Sequence, residues 1–206
     1  MTHSLEGFTA PLKFQPGDGW VYGVGIDWAG HVVQTISGLS FEDYMEKHIL
    51  KPLGMSSTTF RLHKRPDLMQ RRAPIGYRAA PGSPLGAGPT PVPDSPSMPS
   101  GGSGLYSTAN DYEKVLVALL SGGGGLLKPE SVQQLRDAQL PDNKYLMEKF
   151  HGPWHDAFCP EYPLGMPASY GLGGALNLED IPQKRRKGSL MWSGMANTHW
   201  VRSSNC

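Results

Sequence analysis

The chain has 206 residues, with 19 Lys plus Arg against 18 Asp plus Glu and a formal net charge of +1. So small a charge provides no overall field to gather nucleic acid or an anionic membrane, and it points to a small, uncharged molecule as partner. Two cysteines, Cys159 and Cys206, are too few and too far apart for a disulfide framework and suit a reducing, cytoplasmic setting.

The length fits one domain. The opening "MTHSLEGFTAPLKF" lacks the basic and apolar regions of a signal peptide, and no apolar run reaches the ~20 residues a spanning helix needs. Twenty-six Gly and nineteen Pro exceed ordinary usage without a collagen period, so many turns around short elements are expected.

"WVYGVGID", residues 20 to 27, leads into the first predicted helix, Asp27 to Ser37. There Trp28, Val32, Val33 and Ile36 recur at helical spacing, and Gly38 stands where a C-terminal glycine belongs. The stripe predicts a short buried helix. Ser40-Phe-Glu-Asp43 forms a capping-box-like start for a second helix, with Tyr44, Ile49 and Leu50 on its apolar side and Pro52 ending the run. From Ala73 to Gly104 proline and glycine fall so densely that no element longer than a few residues can persist, which marks an internal excursion. Thr108-Ala-Asn-Asp111 caps a third helix through Leu119, "SGGGG" stops it, and Pro129 opens a fourth, "PESVQQLRDAQL". "YGLGGALNL" and "GSLMWSGMANTHWV" are glycine-spaced and rich in aromatic and β-branched residues, and they read as strands. Helices followed by strands predict an α+β fold.

Several chemical readings compete. Gly23, Gly25 and Gly30 miss the G-x-G-x-x-G spacing because Trp28 occupies the third glycine's place, so a dinucleotide loop is disfavoured and no cofactor is expected. "HGPWHDAFC" offers His151, His155, Asp156 and Cys159 as zinc ligands, but a second ligand cluster is lacking; solvated loop histidines are the plainer reading, and no metal is expected. "QKRRK", 183 to 187, reads as an exposed basic turn. No serine lies in G-x-S-x-G, which disfavours an α/β-hydrolase elbow.

Several segments, in order, resemble the β-lactamase-related serine hydrolases, the family of class C β-lactamases, penicillin-binding-protein-like esterases and fungal acyl transesterases. These are "FQPGDGWVYGVGIDWAGHVVQTISGLSFEDYMEKHILKPLGMSSTTF", "PSGGSGLYSTANDYEKVLVALLSGG" and "GSLMWSGMANTHW". The likeness runs from about Phe14 to Trp200. It implies a β-lactamase/transpeptidase-like α+β fold with an antiparallel sheet and a helical region, and residues 1 to 206 as one partial domain with the excursion 73 to 104 inside it. Tyr22 falls where the family keeps the tyrosine of its second motif, with Gly23 and Val24 in place of the polar pair. A phenol there can take a proton from an attacking hydroxyl and return it to the leaving group. Trp192, Ser193 and Gly194 match the third motif, where a strand edge lends a backbone N–H to the oxyanion and lines the acyl pocket.

The family's nucleophile lies in Ser-x-x-Lys, whose one-turn spacing puts hydroxyl and ammonium on one helix face. No Ser or Thr in the 206 residues has Lys three positions later. The resemblance therefore implies an esterase or acyl transesterase fragment, shortened at both ends and inactive alone, that acts in its whole form on small acyl compounds. The glycine–tryptophan third motif favours ester over β-lactam chemistry. The alternative is a pseudoenzyme, or a ligand- or partner-binding module, that uses the retained pocket wall.

Overall fold

The computed structural model describes residues 3–90, 92–93, 95–194 and 198–203. Cys206 and residues 195–197 of the third-motif segment lie outside the described residues. The chain packs into two compact units, Met1–Leu12 with Gly23–Val115, and Lys13–Tyr22 with Leu116–Cys206.

In the first unit, α1 (Leu5–Phe8) starts at Ser4, whose hydroxyl accepts from the Gly7 N–H at 3.1 Å. Gly38, at φ 70°, closes α2 (Gly25–Ser37) in the left-handed region that glycine enters without strain. Ser40 caps α3 (Phe41–Met45) by accepting from the Asp43 N–H at 3.0 Å, and the helix runs on as a π-turn, Glu46–Leu50. A 3₁₀ turn (Leu62–Lys64) and α4 (Pro66–Met69), with Pro at its first position, follow. Among the described residues of the excursion only the two-residue strands β1 (Gly76–Tyr77) and β2 (Gly86–Ala87) form, paired antiparallel. The Thr108 hydroxyl accepts from the Asp111 N–H at 3.2 Å and opens α5 (Ala109–Leu120), along which the chain passes from one unit to the other.

The first unit buries Phe8, Leu50, Met55, Phe60, Leu62 and Leu68. Phe41 adds its ring 5.5 Å from that of Phe60, and Gly30 lets it lie close, since a Cβ there would sit 3.3 Å from the ring. The helix α2 begins two residues before the predicted Asp27 and stops where expected, but it is not buried along its apolar stripe: Trp28, Val32 and Ile36 are 40%, 51% and 82% exposed. The buried residues are Asp27 and Gly30, and the Asp27 carboxylate is held by the Ser100 hydroxyl and by the Gly102 N–H at 3.2 Å. Satisfied hydrogen bonds, not side-chain greasiness, decide which face turns inward.

Asp111 ties α5 to the loop after the π-turn. It accepts from the Ser57 N–H at 2.8 Å, the Thr58 hydroxyl at 2.9 Å and the Lys114 ammonium at 2.8 Å. Burial pushes its carboxyl up, but the bonds from Lys114, Thr58 and Ser57 outweigh that and hold it below the ordinary value. A folded pKa below the unfolded one gives stability that is present at neutral pH, fades below about pH 4 and is gone once pH falls through the folded value. Asp111→Asn should therefore destabilise by about 2 kcal/mol at pH 7. Urea unfolding midpoints should show the gap from the unchanged chain narrowing as pH falls below about 4.

In the second unit, positive φ at Gly122, Gly123, Gly124 and Gly125 turns the chain out of α5. Then come α6 (Pro129–Arg136), α7 (Lys144–Phe150) and α8 (His155–Phe158), the first ending four residues short of its predicted stop. The strands β3 (Ala168–Tyr170), β4 (Ala175–Asn177), β5 (Leu190–Gly194) and β6 (Thr198–Arg202) form an antiparallel sheet in chain order. The arrangement is the expected α+β one. Its core gathers Leu146, Phe150, Cys159, Tyr162, Ile181 and Met191 among others. Phe150 is fully buried, with ring contacts to Trp20, Phe158, Tyr162 and Trp192. Phe150→Ala should cost about 3–5 kcal/mol, readable as a lowered thermal midpoint.

The basic run 183 to 187 is an exposed turn as expected, apart from Arg185. Arg185 is 6% exposed, pairs with Glu161 and lies 5.4 Å over the Tyr162 ring. Gln183, at φ 62°, makes the tight turn that brings the Arg185 backbone into a bridge with Ile181. One arginine of the run is thus a core element of the second unit.

Candidate acyl-transfer site

Trp20 and Tyr22, two positions apart, both lay their rings on the second unit's aromatic cluster, while Val21 between them is 41% exposed. The Trp20 ring meets Phe150 edge-on at 6.2 Å and lies 5.6 Å from Tyr170. The Tyr22 ring lies 5.7 Å from Phe158 and 5.8 Å from Trp192 and remains 55% exposed. An exposed phenol beside packed rings keeps an oriented hydroxyl in reach of a ligand, which a buried one cannot do.

Trp192 is the hub. Its ring stacks on Phe158 at 5.7 Å and meets Tyr170 edge-on at 5.4 Å. The ladder between β5 and β4 ends at Met191, whereas β6 pairs with β5 as far as Gly194 opposite Thr198. From Trp192 to Gly194 the β5 backbone therefore has a strand on one side only, among the described residues. Gly194 is exposed, and a Cβ there would stand 2.5 Å from the Thr198 hydroxyl oxygen.

Ser193 is 8% exposed, with its hydroxyl 2.8 Å from the Ala157 carbonyl oxygen and 3.1 Å from that of Phe158. Its proton is engaged by the end of α8, and the contact fastens that helix to β5. Of the sequence-derived residues, Tyr22 and Trp192 are brought together, Gly194 ends the same strand, and the Ser193 hydroxyl is taken up in structure.

Two residues of this arrangement escaped the sequence reading. Phe158 bridges Tyr22 and Trp192 from α8, a single helical turn without a period to announce it. Tyr170 lies in a segment read only as strand. Burial pushes its phenol up to about 12, and the neighbouring Tyr22 adds to the effect, so Tyr170 keeps its proton throughout the neutral range.

The histidine segment has another use. The Nε2 of His151 lies 3.0 Å from the Met166 carbonyl oxygen, and its Nδ1 accepts from the Gly165 N–H at 3.3 Å. His155 begins α8 and does not lie in a loop. Burial pushes the Cys159 thiol up to about 12, far from a metal-ready thiolate. Among the described residues no three His, Cys, Asp or Glu side chains are gathered for a metal ion. A groove of about 500 Å³ lined by Gly17, Asp18, Gly19, Gln139, Pro141 and Asp142, among others, includes neither Tyr22 nor Trp192. Among the described residues no helix is long and apolar enough to cross a membrane.

A family model described as Beta-lactamase matches residues 7–203. "Acyltransferase mokF" of Monascus pilosus is 36% identical over 203 residues, which cover 93% of this chain and 48% of that protein. "Lovastatin esterase" of Penicillium rubens is 35% identical over 207 residues, covering 95% and 50%. A simvastatin synthase from Aspergillus terreus, solved as a mutant, superposes with a TM-score of 0.86 at 34% identity, over 95% of this chain and 50% of that one. The hydrolase EstCE1 shares the fold at a TM-score of 0.72 and 21% identity. The chain spans about half the length of the curated relatives it matches.

Proposed function

Because this chain belongs to the beta-lactamase family, among fungal acyltransferases and esterases, we propose that it carries the proton-transfer tyrosine and one wall of the acyl pocket of a serine esterase or acyl transesterase. The observation that supports this most is the meeting of Tyr22, from the second-motif segment, with Trp192, from the third-motif strand, at 5.8 Å between ring centroids. Tyr22 accepts the proton of the attacking hydroxyl and passes it to the leaving group. The half-free β5 edge at Trp192 to Gly194 offers backbone N–H to the oxyanion. The substrate is a small acyl compound, with an ester or a thioester as donor and water or an alcohol as acceptor.

The 206 residues hold no Ser-x-x-Lys, so the chain alone is inactive in this chemistry. A direct test joins it to the part of its Monascus pilosus relative that lies outside the match, chosen so that the hybrid contains a Ser-x-x-Lys helix, and measures turnover of a p-nitrophenyl ester. Turnover that requires both halves supports the reading, and a folded but silent hybrid counts against it. A ligand-binding role without chemistry is the second reading, favoured by the exposed Tyr22 ring. Saturable quenching of Trp192 fluorescence by an unreactive acyl amide, without turnover in the hybrid, would select it.

A further inference from the structure

The groove of about 500 Å³ belongs to the second unit, and the lining has a definite chemistry. One wall is the turn Gly17-Asp18-Gly19. Gly17, at φ 98°, and the bond from the Asp18 N–H to the Gln15 carbonyl at 3.0 Å shape that turn. The Phe14 ring closes on Gly19, where a Cβ would stand 2.9 Å from it. The other wall runs from Gln139 to Tyr145, and the Gln139 N–H fixes its start by donating to the Tyr170 carbonyl at 2.9 Å. The polar groups left over on these walls are acceptors. The Gln139 carboxamide donates to the Gln134 and Asp137 carbonyls at 3.3 and 3.2 Å, which leaves its oxygen as the free group. Asp142 accepts from the Lys144 N–H at 2.8 Å through one carboxylate oxygen and keeps the other. The Asp18 side chain is exposed, and neither carboxylate enters an ion pair among the described residues. Tyr145, 39% exposed, adds an aromatic ring, and Lys144 already holds its ammonium 5.5 Å from that ring's centroid. Among the described residues no cationic side chain lines the groove itself.

A concavity lined by two carboxylates, an amide oxygen and an aromatic ring, with no cation of its own, favours a ligand that brings positive charge wrapped in apolar carbon. Its volume is that of a small-molecule site. A bare divalent ion fits less well, because no three His, Cys, Asp or Glu side chains gather among the described residues, and a ring and a leucine offer it no oxygen. We propose that this groove binds a small organic ammonium ion, primary or quaternary. The Asp18 and Asp142 carboxylates supply the counter-charge, and the Tyr145 ring takes the carbon groups that carry the charge. Neither Tyr22 nor Trp192 lines the groove, so this binding does not rest on the acyl-transfer reading.

The test titrates the 206-residue chain with choline chloride and with butylammonium chloride, at an ionic strength held constant with sodium chloride. Calorimetry and the proton shifts of the ligand follow the binding. Saturable one-site binding is expected, with the ligand protons nearest nitrogen moved upfield by the Tyr145 ring. Choline alone would identify a quaternary ammonium group, and butylammonium alone a primary one. The uncharged carbon isostere of choline should bind about fivefold more weakly or not at all. Asp18→Asn, at an exposed side chain, should weaken binding about fivefold, the upper range for a partly screened charge pair. Tyr145→Leu should weaken it by a similar factor and remove the upfield shift. Thermal transitions of the unliganded variants would report that they fold. No binding of either ammonium ion, equal binding of the uncharged isostere, binding of calcium chloride in their place, or undiminished binding by a folded Asp18→Asn variant would overturn the proposal.

Discussion

Tyr22→Phe should reduce acyl transfer by ~100- to 10,000-fold in the hybrid that supplies Ser-x-x-Lys, the range typical for removing a general acid–base group. The substitution deletes the hydroxyl and keeps the ring, so the contacts at 5.7 Å with Phe158 and 5.8 Å with Trp192 persist. A loss confined to kcat, with KM and thermal midpoint unchanged, assigns the phenol to proton transfer. Unchanged turnover in a folded variant would reduce Tyr22 to packing. Tyr170→Phe serves as a control, because burial pushes that phenol up to about 12 and keeps it protonated where the reaction runs.

The second large effect is an absence of reaction. The 206-residue chain, incubated with a p-nitrophenyl ester, a fluorophosphonate or a β-lactam, should show no stoichiometric adduct by intact mass. A serine hydroxyl attacks only when a base is held within hydrogen-bond reach, and no serine here has the lysine of the motif. Ser193 is the nearest substitute, but its hydroxyl donates hydrogen bonds to the Ala157 and Phe158 carbonyls at 2.8 and 3.1 Å, and a backbone carbonyl is too weak a base to take its proton. An adduct on one serine, abolished by Tyr22→Phe, would place a complete catalytic site within these residues and defeat the inactivity proposed above.

Much of the fold was legible because its punctuation is local. Gly38, Ser40 and Thr108 stop or cap helices through bonds to nearby residues, and such bonds follow from residue type and position. What covers a face is not local. The apolar stripe of α2 has helical spacing, yet the helix buries Asp27, because Ser100 and Gly102, more than seventy residues away, satisfy its carboxylate. Arg185 reads as one charge in a basic run until Glu161 and Tyr162 are brought against it. Short helices such as α8 contain too few residues for a period. In the candidate site, Tyr22 and Trp192 were reached only through family resemblance, and Phe158, which links them, carried no signal at all.

The outward apolar face of α2 has a consequence for heat capacity. Unfolding normally adds ~12–15 cal/mol/K per residue as hidden apolar groups meet water. Trp28, Val32 and Ile36 are already 40–82% wet in the folded chain, as are Leu12 at 73% and Leu164 at 74%. Their hydration appears on both sides of the equilibrium and cancels. The increment for this chain should fall below the per-residue norm, and its stability should vary with temperature along a flatter dome, losing less on cooling than its length would suggest.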